Sequence, residues 1–392
     1  MEIRVTDTIK YIGVDDKDID LFESQYVVPE GVSYNSYLIL DEKTVLMDTV
    51  DKRCAAEWEN RLLTQLNGRK LDYLVISHME PDHAGSIARV QELFPEVTLV
   101  GNAKTFPMLE QFAEADMSDC KTLIVKEGDT LNVGSHTLQF YMAPMVHWPE
   151  VMVTYEASEK VLFSADGFGK FGALELTGDE DWACEARRYY FNIVGKYGAP
   201  VQILLKKAAT LDIQMICPLH GPVLRENLQY YIDKYNTWSK YEPEDKGVLV
   251  AYASIHGNTA AAAQKLGEML RDRGVEKVVV SDLAREDMAE VIEDAFRYDR
   301  MVLCAASYDG GVFPCMADFL QHLQMKAYQK RVVGIVENGS WAPSAARTMK
   351  QYLEGMKDVC LLEPVVTIKS CMKEADEEQM CRLAQAVANA GQ

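Results

Sequence analysis

The 392-residue chain has no run of eighteen apolar residues, so no segment is long enough to cross a bilayer as a helix. It begins Met1-Glu2-Ile3-Arg4-Val5, which lacks the apolar core of an export signal and sets the expectation of a cytoplasmic protein. Positive charge is scarce. Forty Lys and Arg face sixty Asp and Glu, a net charge of −20 that repels nucleic acid and anionic membranes. Nine cysteines occur without one CxxC pair, which excludes a zinc ribbon and favours reduced thiols over a disulfide framework. Internal repeats are missing too. What is present is ordinary for a folded protein: 48% hydrophobic and 26% charged residues. The length suits roughly two or three domains.

The clearest seam runs from Tyr235 to Gly247, a polar stretch holding Pro243 that ends at the apolar run Val248–Tyr252. It places a domain boundary near residue 246. Within 1–246, strand-like runs at 32–40 and 44–49 flank a hairpin signal at Asp41–Lys43. Others fall at 73–77, 97–100, 122–125, 137–142, 151–155, 160–163 and 213–216, with helical patterns at 53–66, 84–93, 104–112, 182–208 and 224–234. Strand clusters with helices inserted between them predict an αββα sandwich. Within 247–392, buried-strand runs at 248–252, 277–280, 301–305, 331–335 and 365–368 alternate with helices at 258–273, 286–296, 313–328, 342–356 and 374–390. Such β-then-α units predict a doubly wound parallel sheet of flavodoxin size.

Ligand-type side chains collect at strand ends of the first domain. After the 73–77 strand comes His78-Met79-Glu80-Pro81-Asp82-His83, four candidate ligands in six residues. His78 and Glu80 are two apart, so an extended backbone points both the same way. Asp82 and His83 are adjacent, diverge, and can serve a second ion, while Pro81 stiffens the turn between the pairs. Gly85 permits close backbone approach before the next helix. His147, Asp166 and His220 each follow a later strand run. Alone, a loop histidine is most often unremarkable; together these seven residues predict a metal site.

The second domain carries three candidate loops. Ser254-Ile255-His256-Gly257-Asn258-Thr259 leaves its first strand and opens a helix, an anion cradle of hydroxyls, backbone N–H groups and a helix N-terminus. It is neither GxGxxG nor a Walker loop, so NAD and ATP fit poorly. Ala306-Ser307-Tyr308-Asp309-Gly310-Gly311 and Glu337-Asn338-Gly339-Ser340-Trp341 follow later strands. Glycines with an aromatic at the carboxyl ends of parallel strands suit a planar ring system.

These motifs resemble the metallo-β-lactamase fold, whose usual HxHxDH is followed by His, Asp and His; here Glu80 replaces the middle histidine. HxExDH with a flavodoxin-like half behind it is similar to the flavodiiron proteins, reductases of oxygen or nitric oxide. The resemblance covers nearly the whole chain. It implies that one iron takes His78, Glu80 and His147, that the other takes Asp82, His83 and His220, and that Asp166 bridges them. The Ser254 loop resembles the flavodoxin phosphate loop, with His256 where a hydroxyl residue is usual. By the same resemblance, Tyr308 to Gly311 and Asn338 to Trp341 border the isoalloxazine of FMN. Exchanging an imidazole for a carboxylate adds a hard, anionic ligand, which favours iron and stabilises its ferric state.

Two ferrous ions and one reduced flavin hold the four electrons that turn O2 into two waters. The implied activity is reduction of O2, of NO to N2O, or of both, with FMN refilling the metal pair. A dizinc hydrolase fused to a flavodoxin-like domain and a plain FMN electron carrier are the alternatives. Electrons are expected from a separate rubredoxin or a reduced deazaflavin, docking near Lys326, Lys330 and Arg331, and the working unit is expected to be a head-to-tail homodimer or a dimer of dimers. His136 and His322 have no ligand-spaced partner and read as packed or solvated. Trp148 reads equally as a shield for the metal pocket and as core, and Tyr34, Asn35 and Tyr37 read as structural. Cys304, Cys315, Cys360, Cys371 and Cys381 read as small buried hydrophobes.

Overall fold

The computed structural model describes residues 3–113, 117, 119–177 and 181–391. The chain divides into two compact units, Met1–Tyr190 with Ala199–Asn236, and Phe191–Gly198 with Thr237–Gln392. This differs from a single seam at 246. Residue 246 lies inside the strand Asp245–Ala253, because Val248 to Ala253 extend pairing back to Asp245 opposite Tyr298. The polar stretch before it is largely helix, Leu228–Ser239.

In the first unit, two sheets face each other. One has six strands in the order Ile9–Tyr11, Tyr37–Leu40, Thr44–Met47, Tyr73–Val75, Thr98–Gly101, Lys121–Ile124. The other has five: Thr130–Asn132, Thr137–Met142, Met152–Glu156, Val161–Phe163, Met215–Cys217. Side chains alternate across a strand, so Tyr37 and Ile39, Val45 and Met47, Leu138 and Phe140, and Val161 and Phe163 enter one shared core. This is the expected sandwich.

Two local readings change. The run 32–40 is two strands, since Val32–Tyr34 pairs with Val14–Asp16 while Tyr37–Leu40 joins the six-stranded sheet. The expected helix at 182–208 breaks. Trp182–Tyr189 passes through a π turn and a short 3-10 turn before Gly198–Ala208 begins. Pro200 lacks an N–H, and its ring disfavours a helix running through the preceding turn, which already holds Gly195 and Gly198.

The second unit is parallel throughout its main sheet, in the order Val278–Asp282, Asp245–Ala253, Tyr298–Tyr308, Arg331–Asn338. Val359–Leu361 and Val366–Ile368 share the far edge. Numbered along the unit, the order is 2-1-3-4-5, which reverses direction between the first and third strands and leaves a crevice at their carboxyl ends. No helix among the described residues is long and apolar enough to cross a membrane. Of the five cysteines read as buried, Cys304 alone is so. Cys360 lies on the edge strand and Cys371 in the loop after Val366–Ile368, and both are exposed.

Phe140 is fully buried between the two sheets of the first unit. Phe140→Ala should cost about 3–5 kcal/mol, seen as a lower urea midpoint for loss of that unit's structure. An unchanged midpoint would contradict the shared core.

Candidate metal centre and flavin pocket

The strand Tyr73–Val75 delivers His78, and Glu80 follows in extended conformation as the N-cap of the one-turn helix Pro81–Ala84, which carries Asp82 and His83. Gly85 ends this turn, and a Cβ there would press on the Pro81 carbonyl and on Lys52 N. Asp166 and His220 follow the paired parallel strands Val161–Phe163 and Met215–Cys217. His147 follows Thr137–Met142. All seven side chains meet in two adjoining groups: His78, Glu80, His147 and Asp166 in one, Asp82, His83 and His220 in the other.

In the first group, His78 Nε2 and His147 Nε2 each lie 3.1 Å from Glu80 Oε2 and 3.3 Å from Asp166 Oδ2. In the second, His83 Nε2 and His220 Nε2 each lie 3.2 Å from Asp82 Oδ2, and His83 Nε2 is 3.3 Å from Asp166 Oδ1. Asp166 therefore turns one oxygen to each group. His83 Nε2 and His220 Nε2 stand 3.1 Å apart. Both oxygens of Asp82, both of Asp166 and His147 Nε2 are buried with no hydrogen-bond partner among the described residues. Orphaned lone pairs at this density are costly unless cations fill the space between them. The donor set fits two hard or borderline metal ions.

Electrostatics agree. Burial alone would lower His78, yet the carboxylates of Asp166, Glu150 and Glu80 push it up to about 9. His147 is likewise pulled down by burial but driven up to about 10 by Asp166 and Glu80. Asp166, despite burial, is held well below the usual carboxylate range by His78, His147 and His83.

Several contributors are silent in the sequence reading. Glu150, fully buried, takes His78 Nδ1 at 2.7 Å and Met79 N at 2.8 Å on one oxygen. The signal available was an acid in the otherwise apolar stretch beside His147 and Trp148. His220 Nδ1 donates to the Ser33 carbonyl at 2.8 Å. Asn35 and Tyr37 donate to the Pro218 carbonyl, and Asn35 also to that of Gly221, so the structural role read for them is to hold the His220 loop. The hairpin Leu21–Phe22 and Tyr26–Val27 brings Phe22 against His220 and Glu23 beside Glu80. Partial burial and the Glu80 carboxylate push Glu23 up to about 7. Trp148 sets its ring edge-on to His78 at 5.1 Å, the shielding alternative.

His136 is buried, with Asp41 at 2.6 Å on Nδ1 and Thr8 at 3.0 Å on Nε2. It groups with Glu156 and Glu159, but both ring nitrogens and the Glu156 oxygens are engaged in local hydrogen bonds. His322 stands partly exposed beside Asp318. Arg331 takes no part in the expected basic patch, whereas Lys330 is exposed and Lys326 partly so. Arg331 is buried and donates to the carbonyls of Tyr298, Tyr241 and Phe296, while Lys326 and Lys330 donate to those of Asn192 and Lys240.

In the second unit, a pocket of about 590 Å³ opens at the carboxyl ends of the strands. His256, Asn258, Thr259, Ser307, Tyr308, Asp309, Gly310, Asn338, Gly339, Ser340 and Trp341 line it. Ser254, Gly257 and Gly311 do not. They shape its loops: Ser254 Oγ accepts from Gly257 N, whose φ of 89° starts the helix Asn258–Asp272, and Gly311 pairs with Tyr308 around the tight Asp309–Gly310 turn. Ser370 adds a fourth loop, fixed by reciprocal bonds between its backbone and the Asn338 amide. Trp341 is 92% exposed and Tyr308 45%, two flat apolar faces on the pocket's lining.

A sandwich with a double ligand group at its strand ends, followed in the same chain by a 2-1-3-4-5 parallel sheet with such a crevice, defines a metallo-β-lactamase-like domain joined to a flavodoxin-like one. The comparisons agree. A family model described as ODP family beta lactamase matches residues 32–221. A rubredoxin-oxygen oxidoreductase of Megalodesulfovibrio gigas is 29% identical over 99% of this chain and 97% of its own length. An anaerobic nitric oxide reductase flavorubredoxin of Vibrio vulnificus is 30% identical over 87% of this chain and 70% of its own length. The crystal structure of the flavodiiron protein from Giardia intestinalis superposes with a TM-score of 0.91 at 26% identity, covering 100% of this chain and 97% of that one. The chain belongs to the flavodiiron family.

Without metal, the raised imidazoles make a signed prediction. Protonated His78 and His147 stabilise the metal-free fold fully below their unfolded value of about 6.5. That contribution is lost as pH rises through about 9 and about 10. Thermal melting of metal-free protein across this range should show the fall, and loading metal at neutral pH should release protons to a dye. Melting that is flat across the range, with no proton release, would contradict the protonation assigned here.

Proposed function

We propose that the chain is an oxidoreductase that reduces O2 to water, NO to N2O, or both, at a non-haem diiron site re-reduced by FMN. The observation that carries this reading is the split of Asp166, one oxygen to each ligand group, within a set of four imidazoles and three carboxylates whose inward lone pairs are buried. Residues 1–246 carry the metal work in this reading and 247–392 the flavin work. His78, Glu80 and His147 would hold one iron, Asp82, His83 and His220 the other, with Asp166 between them. The iron pair, when bound, supplies the binding and first reduction of the gas, and FMN supplies the electrons that follow. The chain's own residues prepare for this. Glu150 and the Ser33 carbonyl fix which ring nitrogen of His78 and His220 faces inward. Phe22, Tyr34 and Tyr189 pack on His220 and Trp148 on His78, which keeps bulk water from the ligands. His256 to Thr259, Ser307 to Gly310 and Asn338 to Trp341 would border FMN, with Ser254, Gly257 and Gly311 setting the loop shapes.

Metal analysis with anaerobic gas consumption tests the reading. Two irons per chain with O2 or NO loss supports it, two zincs with ester hydrolysis supports the hydrolase, and flavin alone supports a carrier. His83→Asn should drop iron from two to one per chain and abolish gas reduction while FMN content holds. Retention of both irons and full turnover would refute the second ion's assignment.

A cytoplasmic setting and a separate donor, a rubredoxin or a reduced deazaflavin, complete the proposal. The rubredoxin in the name of the Megalodesulfovibrio relative supports the former. The working unit would be a head-to-tail homodimer or a dimer of dimers, FMN of one chain serving the metals of another. Subunit exchange between His83→Asn and a variant altered at Ser254 and Asn258 should restore gas reduction in mixed dimers. Verified mixed dimers without recovery would exclude transfer between chains.

A further inference from the structure

The two ligand groups match in their inner residues. Each brings two imidazoles and one carboxylate, and Asp166 gives an oxygen to both. They differ behind the rings. His78 Nδ1 is bonded to the carboxylate of Glu150 at 2.7 Å, with both side chains fully buried. His220 Nδ1 is bonded to a neutral backbone carbonyl, and His83 Nδ1 is buried with no hydrogen-bond partner among the described residues. Glu150 is itself fixed, because its oxygen also accepts from Met79 N and Asn102 Nδ2 donates to its carbonyl.

We propose that Glu150 is a positioning residue that makes the two ions unequal, so that the ion of the His78 group gives up an electron before the ion of the His220 group. The inference rests on the diiron reading above. A carboxylate on the far nitrogen fixes the tautomer and makes the imidazole a stronger donor. A stronger anionic donor stabilises the ferric state, so the step Fe(II) → Fe(III) + e⁻ occurs at lower potential on that side, the electron passing to the mediator or flavin. Other acids do not cancel the difference. Asp48 accepts from Ser77 N and faces both His83 and His78. Asp51 lies toward Asp82 with Asp16 beside it, but Asp16 pairs with Arg53 at 3.2 Å, Asp51 accepts from Arg53 N, and neither is bonded to an imidazole.

The test is a stepwise anaerobic redox titration of iron-loaded holoprotein, followed by Mössbauer and EPR spectroscopy. The native protein should show two separate one-electron steps and a half-oxidised EPR signal between them. Glu150→Gln keeps the acceptor but removes the charge; it should retain two irons, raise the lower step toward the upper and shrink the half-oxidised signal several-fold. Glu150→Asp, which keeps the charge, should leave the steps apart. A single two-electron step in the native protein overturns the proposal whatever the variants do. So does an unchanged or widened gap in Glu150→Gln, or an Asp variant that behaves like the Gln one. Failure of the native protein to take up iron would instead refute the diiron reading on which this one stands.

Discussion

Four imidazoles and three carboxylates face one another at 3.1 to 3.8 Å, and among the described residues their ion-pair partners are one another and Glu150. So much buried polarity needs cations in the gap, or protons in their place. The rest of the first unit follows from holding it still. Loops bearing the ligands leave strand ends of both sheets, so their anchors are parts of one shared core. Behind the inner residues stands a second layer, Glu150, Ser33, Asn35 and Tyr37, that fixes the rings and the His220 loop. A metal site built on rigid strands tolerates little displacement, which is why so many side chains serve to orient others.

The second unit solves a different problem. Its pocket has no cluster of inward-facing charge; it offers turns, hydroxyls, amides and two exposed aromatic faces at a topological switch point. Here the backbone does most of the shaping. Gly257, Asp309 and Gly310 all take positive φ, and the Asn338 amide ties the Ser370 loop to the third loop. A broad, shallow group can be held by such loops, whereas an ion pair cannot. The two halves thus divide an expensive electrostatic task from a permissive shape-matching one.

Much of this was legible because strand ends are marked locally. His78 to His83 is dense enough to see without a structure, and the five β-then-α units of the second half announce a parallel sheet by their apolar runs. Less legible were features whose meaning is a distant partner. Glu150 looks like any acid until His78, seventy-two residues earlier, bonds to it. Ser33 acts through a carbonyl, which no side-chain motif records. The basic patch expected at Lys326 to Arg331 was misjudged at Arg331 for the converse reason: its guanidinium donates inward to the carbonyls of Tyr298, Tyr241 and Phe296, and charge counted along a sequence says nothing of which guanidinium is spent inside. Helix 182–208 overran because periodicity continued across Gly195, Gly198 and Pro200, whose backbone could not.

By itself, then, the sequence determined the types of chemistry and the element order, since ligand identity, glycine turns and hydrophobic period are properties of neighbouring residues. Tertiary structure decided that the seven ligand-type side chains meet in two groups, that Asp166 faces both with different oxygens, and that, among the described residues, a carboxylate is hydrogen-bonded behind His78 but not behind His83 or His220. Those are contacts across as many as 187 residues of separation, set by how two sheets pack. Spacing along the chain cannot encode them, because the distances that matter are crossed through the core.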